Sequence, residues 1–226
     1  MQCGNKMIPK IIWQTYESEY SDIPSKAKEL VESWKLLNSE WEYKYISGKE
    51  RLKFVKEYFS EEWYQIYISY PLNVMRSDLW RYMCLYTYGG LYCDLDTLCK
   101  APIENWLNLN KKFVISEEPN DPGYAQFIFA SEKNHVALSN LLNLIKERFY
   151  KDIEYKNTFE RVENTTGYKI FTESINRTIH QTAQANVQVL KGPESENLHF
   201  NYITNLRAGN GTVFDASYVA WQKEIL

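Results

Sequence analysis

Long apolar runs are missing from this sequence. The opening MQCGNKMI is too short and too polar for a leader or an anchor. A chain without signal peptide or membrane anchor, residing in the cytoplasm, is the expectation. The Asn-X-Ser/Thr triplets at Asn164, Asn176 and Asn210 are then expected to be chance matches. Cysteine is sparse: Cys3, Cys84, Cys93 and Cys99 match no zinc-ligand spacing and are too few for a disulfide scaffold. Reduced thiols in a cytosolic enzyme are the simplest account. An excess of one charge is also lacking. The 26 basic and 29 acidic residues leave a net charge of -3 and are spread along the chain, so no nucleic-acid footprint is present. Internal repeats, low-complexity tracts and long linkers are absent as well.

What remains is an ordinary globular composition, 44% hydrophobic and 24% charged. Its 226 residues suit a single domain with a sizeable core. Aromatic residues are the surplus, at 15% with 18 Tyr and 7 Trp. Such rings fill cores, and their flat faces with polar tips also suit stacking on sugars and bases.

Pattern along the chain predicts alternating strands and helices. Ile8–Trp13 reads as a buried strand and Trp41–Ile46 as an alternating one. Pro24 opens a helix over Ser25–Leu37 with Ala27, Leu30, Val31 and Trp34 on one face. Helices follow over Gly48–Phe59 and Glu61–Ser69, then from Pro71 to Tyr88, where Gly89-Gly90 ends the run. Leu91–Leu95, Lys112–Ser116, Ala125–Ala130 and Val187–Leu190 read as strands, and His135–Phe149 and Thr172–Gln184 as helices. Val213–Trp221 is ambiguous. The alternation implies an α/β fold with helices on both faces of a sheet.

The chemistry concentrates in Asn73–Thr97, NVMRSDLWRYMCLYTYGGLYCDLDT. On a strand, Asp94 and Asp96 project from one face with Tyr92, and Leu95 points into the core. Two such carboxylates repel unless a cation or protons intervene. Mg²⁺ or Mn²⁺ would take their oxygens and leave room for phosphate, neutralising a departing diphosphate. A solvated turn is the plain alternative for an isolated Asp-x-Asp triplet. Asp78 and Arg81 lie one helical turn apart and share a face, where an ordinary ion pair is the plain reading. Arg76 reads as a solvated helix residue.

Arg76-Ser77-Asp78, Arg81-Tyr82, Leu85-Tyr86, Gly89-Gly90-Leu91-Tyr92 and Asp94-Leu95-Asp96 resemble the signature of glycosyltransferase family 32. This DXD-motif family includes fungal initiating mannosyltransferases and bacterial capsule enzymes, and is similar to the clostridial glucosylating toxins. Ile8–Thr15 (IPKIIWQT) resembles the family's first strand, and Thr165-Thr166-Gly167 with Phe171-Thr172 is a looser third match. The resemblance implies a GT-A fold, a nucleotide-binding sandwich with a central, mostly parallel sheet flanked by helices. It splits the domain into a donor-binding part over about residues 7–130 and an acceptor-side part over about 131–226. It implies a retaining transfer of a hexose from a nucleotide-sugar, a UDP-sugar favoured and GDP-mannose the alternative, to a glycan, lipid-linked or protein acceptor. By the same resemblance Asp78 would accept bonds from the donor sugar and Arg81 would stabilise the leaving diphosphate. Asp96 would hold the cation, with Asp94 beside ribose, sugar or metal. Trp13 would stack on uracil, with a core tryptophan as the equal alternative. Two departures stand out: Tyr168 follows Gly167 where the family commonly has Pro, and no clean His-rich metal ligand closes the chain. Asp215 is the candidate third ligand, ahead of His180 and His199. The rival readings are a non-catalytic nucleotide-sugar or glycan-binding module and a metal-dependent phosphohydrolase or glycosidase.

Overall fold

The computed structural model describes residues 8–118, 122–181, 186–191 and 203–205. Six strands form one sheet in the order β2-β1-β3-β6-β5-β7: β1 (Ile11–Tyr16), β2 (Glu42–Ser47), β3 (Gly90–Cys93), β5 (Phe113–Ser116), β6 (Ile128–Ser131) and β7 (Val187–Leu190). β6 alone runs antiparallel to its neighbours β3 and β5, so the sheet is mostly parallel. A second, two-stranded ribbon pairs β4 (Thr97–Cys99) with β8 (Ile203–Asn205).

Period-two alternation distributes each strand between two cores. Trp13, Tyr92, Phe113, Ile115 and Phe129 point to one face. There they meet α2 (Gly48–Tyr58), α3 (Glu61–Ser69), α4 (Asn73–Tyr88), α5 (Val136–Phe149), α6 (Thr158–Thr165) and α7 (Tyr168–Gln181). Ile12, Leu91, Cys93, Val114, Ile128 and Ala130 point to the other face, against Trp34 of α1 (Ser25–Leu37) and the Ile103–Leu107 segment. α1, α3 and β7 have the bounds expected from pattern, and α1 buries Ala27, Leu30, Val31 and Trp34 as expected.

Several expected boundaries shift for local reasons. β1 starts at Ile11 because Pro9 lacks the N–H a strand needs. It continues through Gln14 and Thr15 because their side chains are satisfied by the Asp94 and Ile46 carbonyls. α7 starts at Tyr168, four residues ahead of expectation. The step from α6 into α7 is tight enough that a Cβ on Gly167 would sit 2.8 Å from Glu163 Cα. Tyr168 thus occupies the first helical turn, where Pro is favoured, so the departure from the family's Pro leaves the helix start intact. α6 itself, capped by Asn157 accepting from the Glu160 N–H at 2.8 Å, gave no apolar periodicity to read.

β3 ends at Cys93, two residues earlier than expected, and this corrects the strand argument for the carboxylates. Asp94, Leu95 and Asp96 form a turn into β4. The Asp94 carbonyl accepts from the Thr97 hydroxyl (2.6 Å) and the Thr97 N–H (3.2 Å), which closes it. Leu95 is nevertheless buried, packing with Ile23, Ala27, Leu30 and Val31.

Cys84, Cys93 and Cys99 are unpaired and buried, and burial pushes all three thiols up, the first two far. They should resist alkylation by iodoacetamide at pH 8 and react once urea unfolds the chain. Protection lost without denaturant would contradict this packing.

Gly90, at φ +107°, leaves no room for a side chain: a Cβ there would lie 2.6 Å from the Ile11 carbonyl oxygen and 3.0 Å from Trp13 Nε1. Gly90→Ala should cost about 2–4 kcal/mol in urea unfolding, from strain plus displacement of β1.

Candidate active site

Four segments meet at the carboxyl end of β3. Asp78 and Arg81 come from the middle of α4, Tyr92 from β3 and Asp94 from just after it, Gln126 from the approach to β6, and Thr166 from the α6–α7 turn. Asp78, Arg81, Asp94 and Asp96 are all at most 5% exposed. Buried charges persist only when paired and hydrogen-bonded, and the pairing here is dense. Arg81 Nη2 lies 2.9 Å from Asp78 Oδ1 and 3.3 Å from Asp94 Oδ1, while Nη1 donates to the Gln126 carbonyl at 3.0 Å. The guanidinium carbon sits 4.5 Å from the Tyr92 ring centroid, a cation–π contact. The Tyr92 hydroxyl donates to Asp94 Oδ1 at 2.6 Å.

Burial works to lower the Arg81 pKa, but Asp94, Tyr92 and Asp78 outweigh it and hold the group above its ordinary value. The Tyr92 phenol is pushed well up, first by burial, against the lowering field of Arg81. Tyr92 is therefore a fixed hydrogen-bond donor at neutral pH and orients one oxygen of Asp94.

The backbone of Asp94 is equally constrained. Its N–H donates to the Phe127 carbonyl (2.8 Å), and its carbonyl also accepts from Gln14 Nε2 (3.0 Å). Gln14 Oε1 in turn accepts from the Tyr43 hydroxyl at 2.8 Å. Across the site, the Thr166 hydroxyl donates to Asp78 Oδ2 at 3.2 Å. The Tyr82 hydroxyl lies between Gln126 Oε1 and the Thr166 carbonyl, the latter at 2.9 Å.

The structure thus brings Asp78, Arg81, Tyr92 and Asp94 into one contact network, with Asp96 two residues further along the turn. Trp13 is Tyr92's cross-strand partner on β1. It is 6% exposed, donates its indole N–H to the Gly89 carbonyl (2.9 Å) and stacks on Tyr88 at 5.4 Å. Asp215 and His199 lie outside the described residues. His180 is an exposed residue of α7 and makes none of the network's contacts described above. Arg76 is more than a solvated residue, since its guanidinium donates to the Tyr70 and Ile68 carbonyls that end α3. Four supporting residues had only weak signals or none. Gln14, Tyr82 and Thr166 lie inside matched blocks without being singled out, and Gln126 had no signal.

Could these residues hold a divalent cation? Among the described residues no three His, Cys, Asp or Glu side chains gather into a metal cage. Mg²⁺-type sites do not require one: one or two carboxylates plus substrate phosphates suffice. Asp94 and Asp96 supply hard oxygen donors of that kind. Charge agrees, because Asp78, Asp94 and Asp96 against Arg81 leave a formal charge of about -2 in a buried region, a balance suited to a divalent ion.

A mostly parallel sheet with a buried Asp-x-Asp turn at the end of a central strand is the GT-A glycosyltransferase architecture. Two solved structures share it: PaToxG glycosyltransferase, at TM-score 0.52 and 17% identity over 87% of this chain and 89% of that one, and the UDP-bound glycosyltransferase domain of the YGT toxin, at TM-score 0.50 and 9% identity over 88% and 83%. Residues 24–114 match the family described as the glycosyltransferase sugar-binding region containing the DXD motif. Among curated relatives, an uncharacterized glycosyltransferase of Acanthamoeba polyphaga mimivirus is 28% identical over 170 residues, 75% of this chain and 65% of that protein. Inositol phosphoceramide mannosyltransferase 1 of Schizosaccharomyces pombe is 31% identical over 157 residues, 67% of this chain and 47% of that protein. The chain spans roughly half to two thirds of the length of these relatives. No helix among the described residues is long and apolar enough to cross a membrane.

Removing Arg81 would strand Asp78 and Asp94 in a buried region. Arg81→Ala should lower the unfolding free energy by about 3–5 kcal/mol in urea titration. A stability within ~1 kcal/mol of the parent at pH 7 would mean the pairing is not structural.

Proposed function

We propose that this protein transfers a hexose from a nucleotide-sugar to a hydroxyl of a glycan, lipid-linked or protein acceptor, with retention of configuration and dependence on Mn²⁺ or Mg²⁺. The observation that carries this reading is the buried Asp78–Arg81–Asp94 network beside Asp96, whose net negative charge calls for a cation. A glycosidase reading fits less well. It needs two carboxyls flanking a sugar, one of them a proton donor, whereas here Asp94 Oδ1 is already engaged by Arg81 and by the Tyr92 hydroxyl.

Asp94 and Asp96 would hold the cation, which supplies charge neutralisation for the leaving diphosphate. The chain's own residues supply position. Asp78, fixed by Arg81 and the Thr166 hydroxyl, offers its carboxylate to donor-sugar hydroxyls. Arg81 holds Asp78 and Asp94 in place through its two ion pairs and would add positive potential near the diphosphate. Tyr92 fixes the rotamer of Asp94. The described site offers no carboxylate beyond these to act as nucleophile. We therefore favour front-face attack, in which the acceptor hydroxyl enters on the leaving-group side and passes its proton to the departing phosphate.

For the donor sugar we favour mannose, because relatives that share the DXD region are named mannosyltransferases. A UDP-sugar is the second reading. It rested on Trp13 as a uracil platform, and that indole is engaged by Gly89 and Tyr88.

The test is nucleotide release from GDP-mannose, UDP-glucose, UDP-galactose and UDP-N-acetylglucosamine, each with Mn²⁺ or EDTA. One donor should be hydrolysed slowly and only with metal. Asp96→Ala should lose about 10²–10³-fold of that rate, as expected for removing one preorganised electrostatic contact. Near-normal turnover in Asp96→Ala would sink the metal assignment, and phosphate release from simple phosphoesters would favour a phosphohydrolase.

A further inference from the structure

Gln14 is fully buried in β1, at 0% exposure, where an apolar side chain is the ordinary choice. A buried amide is costly unless both its ends are bonded, and here both are. Its Nε2 donates to the Asp94 carbonyl (3.0 Å) and its Oε1 accepts from the Tyr43 hydroxyl (2.8 Å). A carbonyl can only accept, so the amide nitrogen must face Asp94 and the amide oxygen the hydroxyl. These contacts take over where the strand ladder stops. The β1–β3 pairing runs as far as Trp13 and Tyr92, and β3 itself ends at Cys93. Just beyond that point the Gln14 side chain ties the Asp94 carbonyl to β1. Tyr43 belongs to β2, and the Lys35 ammonium of α1 lies 5.0 Å from its ring centroid.

What this amide controls is the course of the chain between the two carboxylates. The Asp94 N–H, held by the Phe127 carbonyl at 2.8 Å, fixes the peptide before the Asp94 Cα. The Asp94 carbonyl, held by Gln14, fixes the peptide after it, which leads through Leu95 to Asp96. The bonds from Thr97 to the same carbonyl join two parts of the turn, so they close it without anchoring it to the sheet. Leu95 packs against α1, which buries the turn but leaves the rotation of that peptide open. Oxygens that share one ion must be held to within about 0.5 Å, and support of that kind comes from groups behind the ligands.

We propose that Gln14 is a positioning residue for the cation site: through the peptide that follows Asp94 it sets the spacing of the Asp94 and Asp96 carboxylates, and Tyr43 holds the amide in place. The inference rests on the proposed cation role of that pair.

Titration of the full chain with Mn²⁺ tests it, followed by loss of the free-ion signal in electron paramagnetic resonance. Nucleotide is left out, since it would bind the ion itself. The parent should bind Mn²⁺, and Asp96→Ala should abolish binding. Gln14→Met keeps the length of the side chain and removes its hydrogen bonds; it should weaken Mn²⁺ about tenfold or more. Tyr43→Phe should weaken it about threefold. Because Tyr43 acts through Gln14, the double variant should bind no more weakly than Gln14→Met alone. A purely structural role predicts another pattern: lower urea midpoints with Mn²⁺ affinity unchanged in the folded protein. Binding that Asp96→Ala abolishes but Gln14→Met leaves at the parent's affinity overturns this inference alone. Should Gln14→Met fail to fold, unchanged affinity in Tyr43→Phe overturns it equally. No Mn²⁺ binding by the parent, or binding that survives Asp96→Ala, removes the cation reading and this inference with it.

Discussion

One guanidinium bridging two buried carboxylates sets the terms for the rest of this structure. Arg81 cannot leave water without Asp78 and Asp94, and neither carboxylate can be buried without it. The bridge joins α4 to the end of β3, and the Arg81 bond to the Gln126 carbonyl adds the approach to β6. Thr166 fastens the α6–α7 turn onto Asp78. Segments nearly ninety residues apart in sequence are thereby fixed against one another before any ligand arrives. That is the preorganisation that electrostatic catalysis requires: the cost of orienting charges falls on folding rather than on the reaction.

Much of this was legible in the sequence because it follows from periodicity. Alternation along β1, β3, β5 and β6 sorts side chains between two cores, and α1 follows from its apolar stripe and Pro24. The i,i+3 spacing of Asp78 and Arg81 anticipates their contact. The carboxylate turn shows where such reasoning stops. Treating Asp94 and Asp96 as alternate strand positions assumed that β3 continues, whereas Thr97 folds back onto the Asp94 carbonyl and ends it. Tyr92 and Asp94 still meet, but through a hydroxyl-to-carboxylate bond. Gln126 was invisible for a different reason. It serves Arg81 through its backbone carbonyl, a group that every residue type carries.

Trp13 illustrates a choice that residue type leaves open. A tryptophan at a strand position can stack on a base or close a core. Here the position of Gly90 favours the second. Without a side chain at Gly90, Trp13 Nε1 approaches β3 closely enough to bond the Gly89 carbonyl. The two glycines that end α4 and start β3 therefore also fix the indole. The placement of Trp13 thus has its origin in one Gly-Gly step.

Charge then constrains the order of events at the proposed site. Three acidic groups and one basic group give a buried region of formal charge about -2. A nucleotide diphosphate is itself strongly negative, so donor and site repel unless a divalent cation lies between them. Donor affinity and cation affinity must then be coupled: each ligand reduces the electrostatic cost of the other, by the same free energy in both directions. Asp78 remains outside that exchange, because Arg81 and Thr166 already satisfy it. The site therefore separates two tasks that a cluster of equivalent carboxylates would confuse. Under the proposed function Asp94 and Asp96 would answer to the cation and diphosphate, and Asp78 would be held ready for the sugar.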